Sequence, residues 1–339
     1  MLSMNEKNQK SSFYDLNPDL VLQATENAGY QPTGEFTQLN SYENRVFEVR
    51  IEAQSPSSPN SVIAKFYRPG RWNPAAILEE HDFLQELSKE DLNVGQALKQ
   101  KGTPPNSPTL SQISGLSVAF FEKIRGRMST EFFLPDLELV GKKLAHLHNV
   151  GARKRFKHRP ILAEEPLNPY EILDQLLPHV AQEVRGRYEQ AVENLLEQML
   201  EHVDPNCFQR IQGDCHRGNI LHNGKIDKES DFYFVDFDDS MMGPVVQDIW
   251  LLFSATQSDA DWLHQEQDSL LKGYEQFRHF PREQLDWIPY LRGLRIFQYA
   301  AWISSRWSDP SFPKIFPQFG TFNYWAEETE ALEKSLRGI

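Results

Sequence analysis

A β-rich first third carrying one amphipathic helix, followed by a long helical remainder, predicts an α+β fold of two lobes with a cleft between them. The chain has 339 residues, above the usual single-domain size. Strand-like runs cluster ahead of residue 127, with one further hairpin inside the later part. Beyond Pro135 apolar residues instead recur at spacings of three and four, the helical period. We divide the chain into a lead-in over 1–20, a first lobe over 21–127 and a second over 128–339.

In the first lobe, VLQATENAGY reads as a short helix. RVFEVRI (45–51) and SVIAKFY (61–67) read as strands joined by the Pro- and Ser-rich AQSPSSPN. PAAILEEHDFLQELS follows as a helix, with Asn73 as N-cap and Pro74 in its first turn. Past the breaker cluster at 99–109, LSQIS and LSVAFFEKI flank Ser114-Gly115, a tight hairpin turn. These four runs belong to a lobe expected to have five strands, with a connection over 122–127. The second lobe reads as the helices DLELVGKKLAHLHNV, YEILDQLLPHVAQEV and YEQAVENLLEQMLEHV, and a core helix around Phe297 and Ala300.

Hydrophobic residues at 40% and charged residues at 24% exclude disordered, collagen-like and coiled-coil classes. Lys plus Arg number 35 against 48 Asp plus Glu, and the net charge of −13 disfavours nucleic acid and anionic membrane surfaces as partners. No apolar stretch approaches a membrane span, and the polar N-terminus lacks the apolar core of a signal peptide. Two cysteines, Cys207 and Cys215, make no disulfide framework, and with His216 and His222 they match no zinc spacing. A cytoplasmic, monomeric protein is the expectation.

The chemistry concentrates in IQGDCHRGNIL and DFYFVDFDD. Asp214 and Asn219 share a glycine-containing loop, and Asp236 follows on the far arm of a hairpin that would bring it to Asn219. A phosphoryl transferase needs a carboxylate to receive the acceptor proton and oxygen ligands for magnesium on the nucleotide phosphates. Asp214, Asn219 and Asp236 fit those roles. Asp238 and Asp239 read as a solvated strand edge and are left out. Lys65 sits inside a strand, its ammonium on an apolar face, and needs an anionic partner. Glu79 and Glu80 on the next helix are candidates, and Glu80, whose helix face borders the core, is preferred.

The order VIAK, EEHDFL, LAHLH, GDCHRGN and VDFDD resembles the aminoglycoside phosphotransferase-like kinases, relatives of protein kinases. LNSYENRVFEV, KFYRPGRW, GDCHRGNIL and GPVVQDIW are similar to the bacterial stress response kinase A group. That resemblance implies a kinase-like bilobal fold and a serine/threonine protein kinase using ATP and Mg2+, with Asp214 as proton acceptor and Asn219 and Asp236 as metal ligands. It places Ser41 over the ATP phosphates, Lys65 and Glu80 in the nucleotide site, and Asp248 beneath the catalytic loop. Three departures stand out: no GxGxxG precedes Lys65, Gln212 replaces a usual His, and the hairpin tip near 223–231 is long. His216, where protein kinases usually carry Lys, and the short stretch between Asp236 and Asp248 resemble small-alcohol kinases. A small-molecule acceptor is the alternative, and a nucleotide-binding scaffold a third reading that the intact residue set argues against.

Overall fold

The computed structural model describes residues 13–337 except 15, 54, 56–57, 103, 105–106, 129–130, 165–167, 225–230 and 254–259. Most of the lead-in and the long hairpin tip therefore lie outside the described residues.

The chain opens with α1 (Pro18–Asn27), capped by Asn17, whose side chain accepts from the Leu20 N–H. An antiparallel sheet follows, formed by β1 (Pro32–Leu39), β2 (Arg45–Ile51), β3 (Ser61–Phe66), β4 (Ala97–Leu98), β5 (Leu110–Ile113) and β6 (Leu116–Glu122). Its order is β1-β2-β3-β6-β4, with β5 also paired to β6. Between β3 and β4 runs α2 (Pro74–Lys89), and Asn73 caps it as expected, accepting from the Ala76 N–H. Ser114 and Gly115 both have positive φ, the conformation a two-residue hairpin needs.

Period-two alternation sets the two faces of this sheet. Phe47, Val49, Val62, Ala64, Phe66 and Phe120 bury against α1 on one face. Ile63 and Lys65 are consequently turned to the other, toward α2 and the cleft. The sheet has one strand more than the five expected, and the sequence reading names neither β1 nor the two-residue β4; β1 is almost wholly exposed, so its sequence lacks the alternation that marks a half-buried strand. In the lead-in, Phe13 is buried with the guanidinium groups of Arg45 and Arg68 over its ring, at 5.4 and 5.1 Å.

The short β7 (Arg127–Met128) already pairs with the second lobe, so the connection between lobes is 123–126. Beyond it come α3 (Leu134–Gly151), α4 (Pro169–Leu176) and α5 (Arg185–His202). The helix expected through YEILDQLLPHVAQEV breaks after Leu176, because Pro178 has no N–H to continue it, and a single 3-10 turn follows. Two small ribbons come next. β8 (Gln209–Ile211) pairs with β11 (Met241–Gly243), and β9 (Ile220–His222) with β10 (Phe232–Phe234). The chain ends with α6 (Gln247–Trp250), α7 (Ala260–Tyr274), α8 (Ile288–Ser305), α9 (Phe312–Ile315) and α10 (Phe322–Leu336). No described helix is long and apolar enough to cross a membrane.

The main core lies in this helical lobe, and α2 contributes Phe83, Leu84 and Leu87 to it, so α2 belongs mechanically to both lobes. At its centre α3 and α7 touch backbone to backbone. A Cβ on Gly273 would overlap the Glu138 carbonyl, and one on Gly141 the Leu270 carbonyl. We expect Gly273→Ala to destabilise the protein by about 2–4 kcal/mol, measured by denaturant unfolding, because backbone rather than a flexible side chain must move.

Candidate active site

A cavity of about 370 Å³ opens between the sheet and the helical lobe, lined by Ser41, Ile63, Lys65, Glu80, Phe121 and Asp236 among others. Lys65 is delivered to it by β3, paired with Val46 and Ala119 on the neighbouring strands. Its ammonium lies 3.0 Å from Asp238 Oδ1, 3.6 Å from Glu80 Oε1 and 3.9 Å from Asp236 Oδ1. Burial would depress the Lys65 pKa, but Asp238, then Glu80, hold it well above its ordinary value. Glu80 is buried beside Lys65, whereas Glu79 points outward and accepts the backbone N–H groups of Lys157, His158 and Arg159.

Asp238 corrects the sequence reading. It is buried rather than solvated, and it receives Lys65 and, at 3.0 Å, Arg71 Nη1. Despite burial, these cations and Arg159 hold its carboxyl below the usual range. Arg159, also buried, lies 3.6 Å from Glu80 and donates to the carbonyls of Ser240 and Asp238, closing the back of the site. The sequence reading assigns no role to Asp238, Arg71 or Arg159, since each acquires its role from partners distant along the chain.

The loop after β8 carries Asp214. Gly213 has positive φ, and a Cβ there would overlap the Asp239 carbonyl. Asp248, fully buried on α6, accepts the Gln212 N–H at 2.8 Å and the Gly213 N–H at 2.7 Å. His148 on α3 approaches the same carboxylate at 3.2 Å and bonds the Tyr274 hydroxyl at 2.9 Å. Burial pushes the His148 pKa down against the pull of Asp248. Gln212 bridges two loops, its amide donating to the Val235 and Asp236 carbonyls while its oxygen accepts the Asp214 N–H at 2.8 Å.

The β9–β10 ribbon brings Asn219 and Asp236 together. The Val235 N–H bonds the Asn219 carbonyl at 3.0 Å, one residue from Asp236. The Asn219 side-chain amide donates to the Asp214 carbonyl at 3.0 Å. Asp236 has a φ of 55°, an uncommon conformation for a residue with a side chain, and its carboxylate is 55% exposed. Asp214 itself meets two residues of the second lobe: Arg295 Nη1 at 2.6 Å from Oδ1, and His216 Nε2 at 3.5 Å from Oδ2. No motif of the sequence reading includes Arg295.

Above the cavity, the Ser41 hydroxyl accepts the Asn44 N–H at 3.3 Å and shapes the β1–β2 turn. Glu43 of that turn is gripped by Arg71 at 3.1 Å, Arg306 Nε at 2.8 Å and the Trp302 indole at 2.7 Å. The buried Arg68 donates to the Tyr42 and Glu43 carbonyls and to Asp309. The end of α8 and the segment after it thus hold the loop over the cleft.

The fold and this constellation define a phosphotransferase. The profile of the "Phosphotransferase enzyme family" matches residues 35–288. Stress response kinase A of Escherichia coli K12 is 31% identical over 328 residues, covering 95% of this chain and 93% of that protein. Serine/threonine protein kinase RdoA of Salmonella typhimurium LT2 is 32% identical, with 94% and 92% covered. Among solved structures, amicoumacin kinase hAmiN superposes with a TM-score of 0.72 at 18% identity, covering 93% of each chain. A microcompartment-associated aminopropanol kinase gives 0.66 at 21% identity, with 95% of this chain and 98% of that one covered. The chain belongs to this phosphotransferase family, and within it to the stress response kinase A group.

Two outcomes follow for the site's supports. Asp248→Asn turns a donor toward groups that already donate, and turnover should fall on the order of 10²-fold in steady-state assays as the Asp214 loop shifts. His81, beside Glu80, bonds the Tyr67 hydroxyl at 2.9 Å and Thr109 at 2.6 Å. Burial, then the Lys65 and Arg159 charges, push its pKa down to about 3 from 6.5. A neutral His81 stabilises the fold above the unfolded-state value, and this stability is lost as pH falls toward 3. Thermal melts should show a pH slope below 6.5 that His81→Gln flattens.

Proposed function

We propose that this phosphotransferase moves the γ-phosphoryl group of ATP to Ser or Thr hydroxyls of proteins. The observation that carries the reading is similarity along nearly the whole chain to relatives named as a stress response kinase and a serine/threonine protein kinase. The geometry supports it. Lys65, held by Glu80, is the phosphate-facing cation of the cavity, and Ser41 lies in the loop above. ATP would lay its adenine against the end of β6 and the connection at 123–126, where Phe121 and Ile124 line the cavity.

Asp236 and the Asn219 side-chain oxygen are hard oxygen donors that suit magnesium. Among the described residues no three His, Cys, Asp or Glu side chains form a metal cage, so phosphate and water would complete its shell. When bound, the ion would neutralise charge on the phosphates. Asp214 would accept the hydroxyl proton as the new P–O bond forms and ADP leaves. The Asp248 and Gln212 bonds keep that carboxylate in place, so positioning supplies most of the rate. A two-lobe division, a monomeric state and a cytoplasmic location belong to the same reading.

His216, two residues from Asp214, and the short 236–248 stretch favour a second reading, transfer to a small alcohol. Incubation with magnesium, γ-labelled ATP and soluble cell extract separates the two. Acid-stable label on protein Ser or Thr supports the first, and label confined to metabolites replaces it with the second. Asp214→Ala should lower transfer on the order of 10²- to 10⁴-fold with nucleotide binding retained. Asp236→Ala should abolish metal-dependent nucleotide binding in a titration. Near-normal turnover of Asp214→Ala would overturn the base assignment.

A further inference from the structure

Arg295 lies on α8, a helix that packs Leu291, Leu294 and Phe297 into the core. Its guanidinium turns the other way, donates to Asp214 Oδ1 at 2.6 Å, and stays 41% exposed. Among the described residues Asp214 is the one carboxylate ion-paired with it. His216 occupies the other side of the carboxylate. The Gly218 N–H donates to His216 Nδ1 at 3.0 Å, so the ring hydrogen sits on Nε2 and faces Asp214 Oδ2. Tyr299 and Trp302 follow Arg295 on the same helix face, stacked at 5.6 Å and 18°.

An accepting hydroxyl must come within hydrogen-bond reach of Asp214. Whatever flanks that hydroxyl then meets Arg295, an open cation that can share its donors between Asp214 and an incoming anion. We propose that Arg295 selects the acceptor by charge: the favoured hydroxyl is flanked by a carboxylate or phosphate group, and cationic alcohols are disfavoured. The inference rests on the phosphoryl-transfer reading above. Guanidinium matches carboxylate and phosphate by paired hydrogen bonds. A single charge a few ångströms away at a partly exposed site should alter acceptor preference by roughly tenfold.

The test compares kcat/KM for two Ser peptides of equal length, one with Asp and one with Lys beside the Ser, and for two small alcohols, glycerate and choline. Wild type should prefer the anionic member of whichever pair is phosphorylated by about tenfold. Arg295→Lys should keep the preference, and Arg295→Gln should bring the ratio near unity, chiefly through KM. A preference for the cationic member, or an equal ratio in wild type and Arg295→Gln, overturns the proposal while leaving protein phosphorylation intact if the peptides are labelled. A uniform fall in kcat with an unchanged ratio marks Arg295 as a structural tether and also overturns it. Label in glycerate and in neither peptide sustains the role of Arg295 but overturns the protein acceptor. No label in any acceptor overturns both.

Discussion

The arrangement depends on keeping one buried cation charged. Lys65 has lost most of its water, and the site exists because Asp238, Glu80 and Asp236 together make ionisation favourable again. The carboxylates arrive from two parts of the chain: α2 for Glu80, the segment after β10 for the two aspartates. Arg159 and Arg71 then compensate the excess negative charge, and the Glu79 carboxylate holds the backbone that presents Arg159. The network so joins the sheet, α2 and the loops of the helical lobe across the cleft. Removing one partner would leave an uncompensated charge in the interior, so the members stand or fall together.

A second constraint operates under the catalytic loop. Backbone N–H groups there cannot reach water, and Asp248 receives two of them with a neutral His148 behind it. Gln212 occupies a position that the resemblance assigns to His, yet its amide does what one imidazole cannot. It donates to both the Val235 and the Asp236 carbonyl and accepts the Asp214 N–H, three bonds where a neutral imidazole has one donor and one acceptor. The loops carrying Asp214 and Asp236 are therefore tied to one another through this side chain.

Much of this was legible because it is local. The Asp214–Asn219 spacing, the hairpin to Asp236 and the Asn73 cap each depend on residues near one another in sequence, and the sheet's alternation placed Lys65 on the cleft face. What escaped depends on distant partners. Asp238 looks like a solvated strand end until Arg71 and Arg159 are folded over it. Arg295 looks like one polar position on a core helix, and only the crossing of α8 beside the catalytic loop gives it a neighbour. Strand β1 escaped for the opposite reason, since an exposed edge carries too little apolar pattern to announce itself.

The grip on Glu43 has a consequence of its own. In a glycine-rich phosphate loop the nucleotide is the main thing holding the loop down. Here Arg306, Trp302 and Asp309 of the helical lobe reach across to the β1–β2 turn and to the Arg68 that supports it, with no nucleotide involved. Opening the cleft means returning those ionised groups to water, and closing it means stripping them again. The turn over the cleft is thus clasped by a segment of the chain more than 250 residues away in sequence.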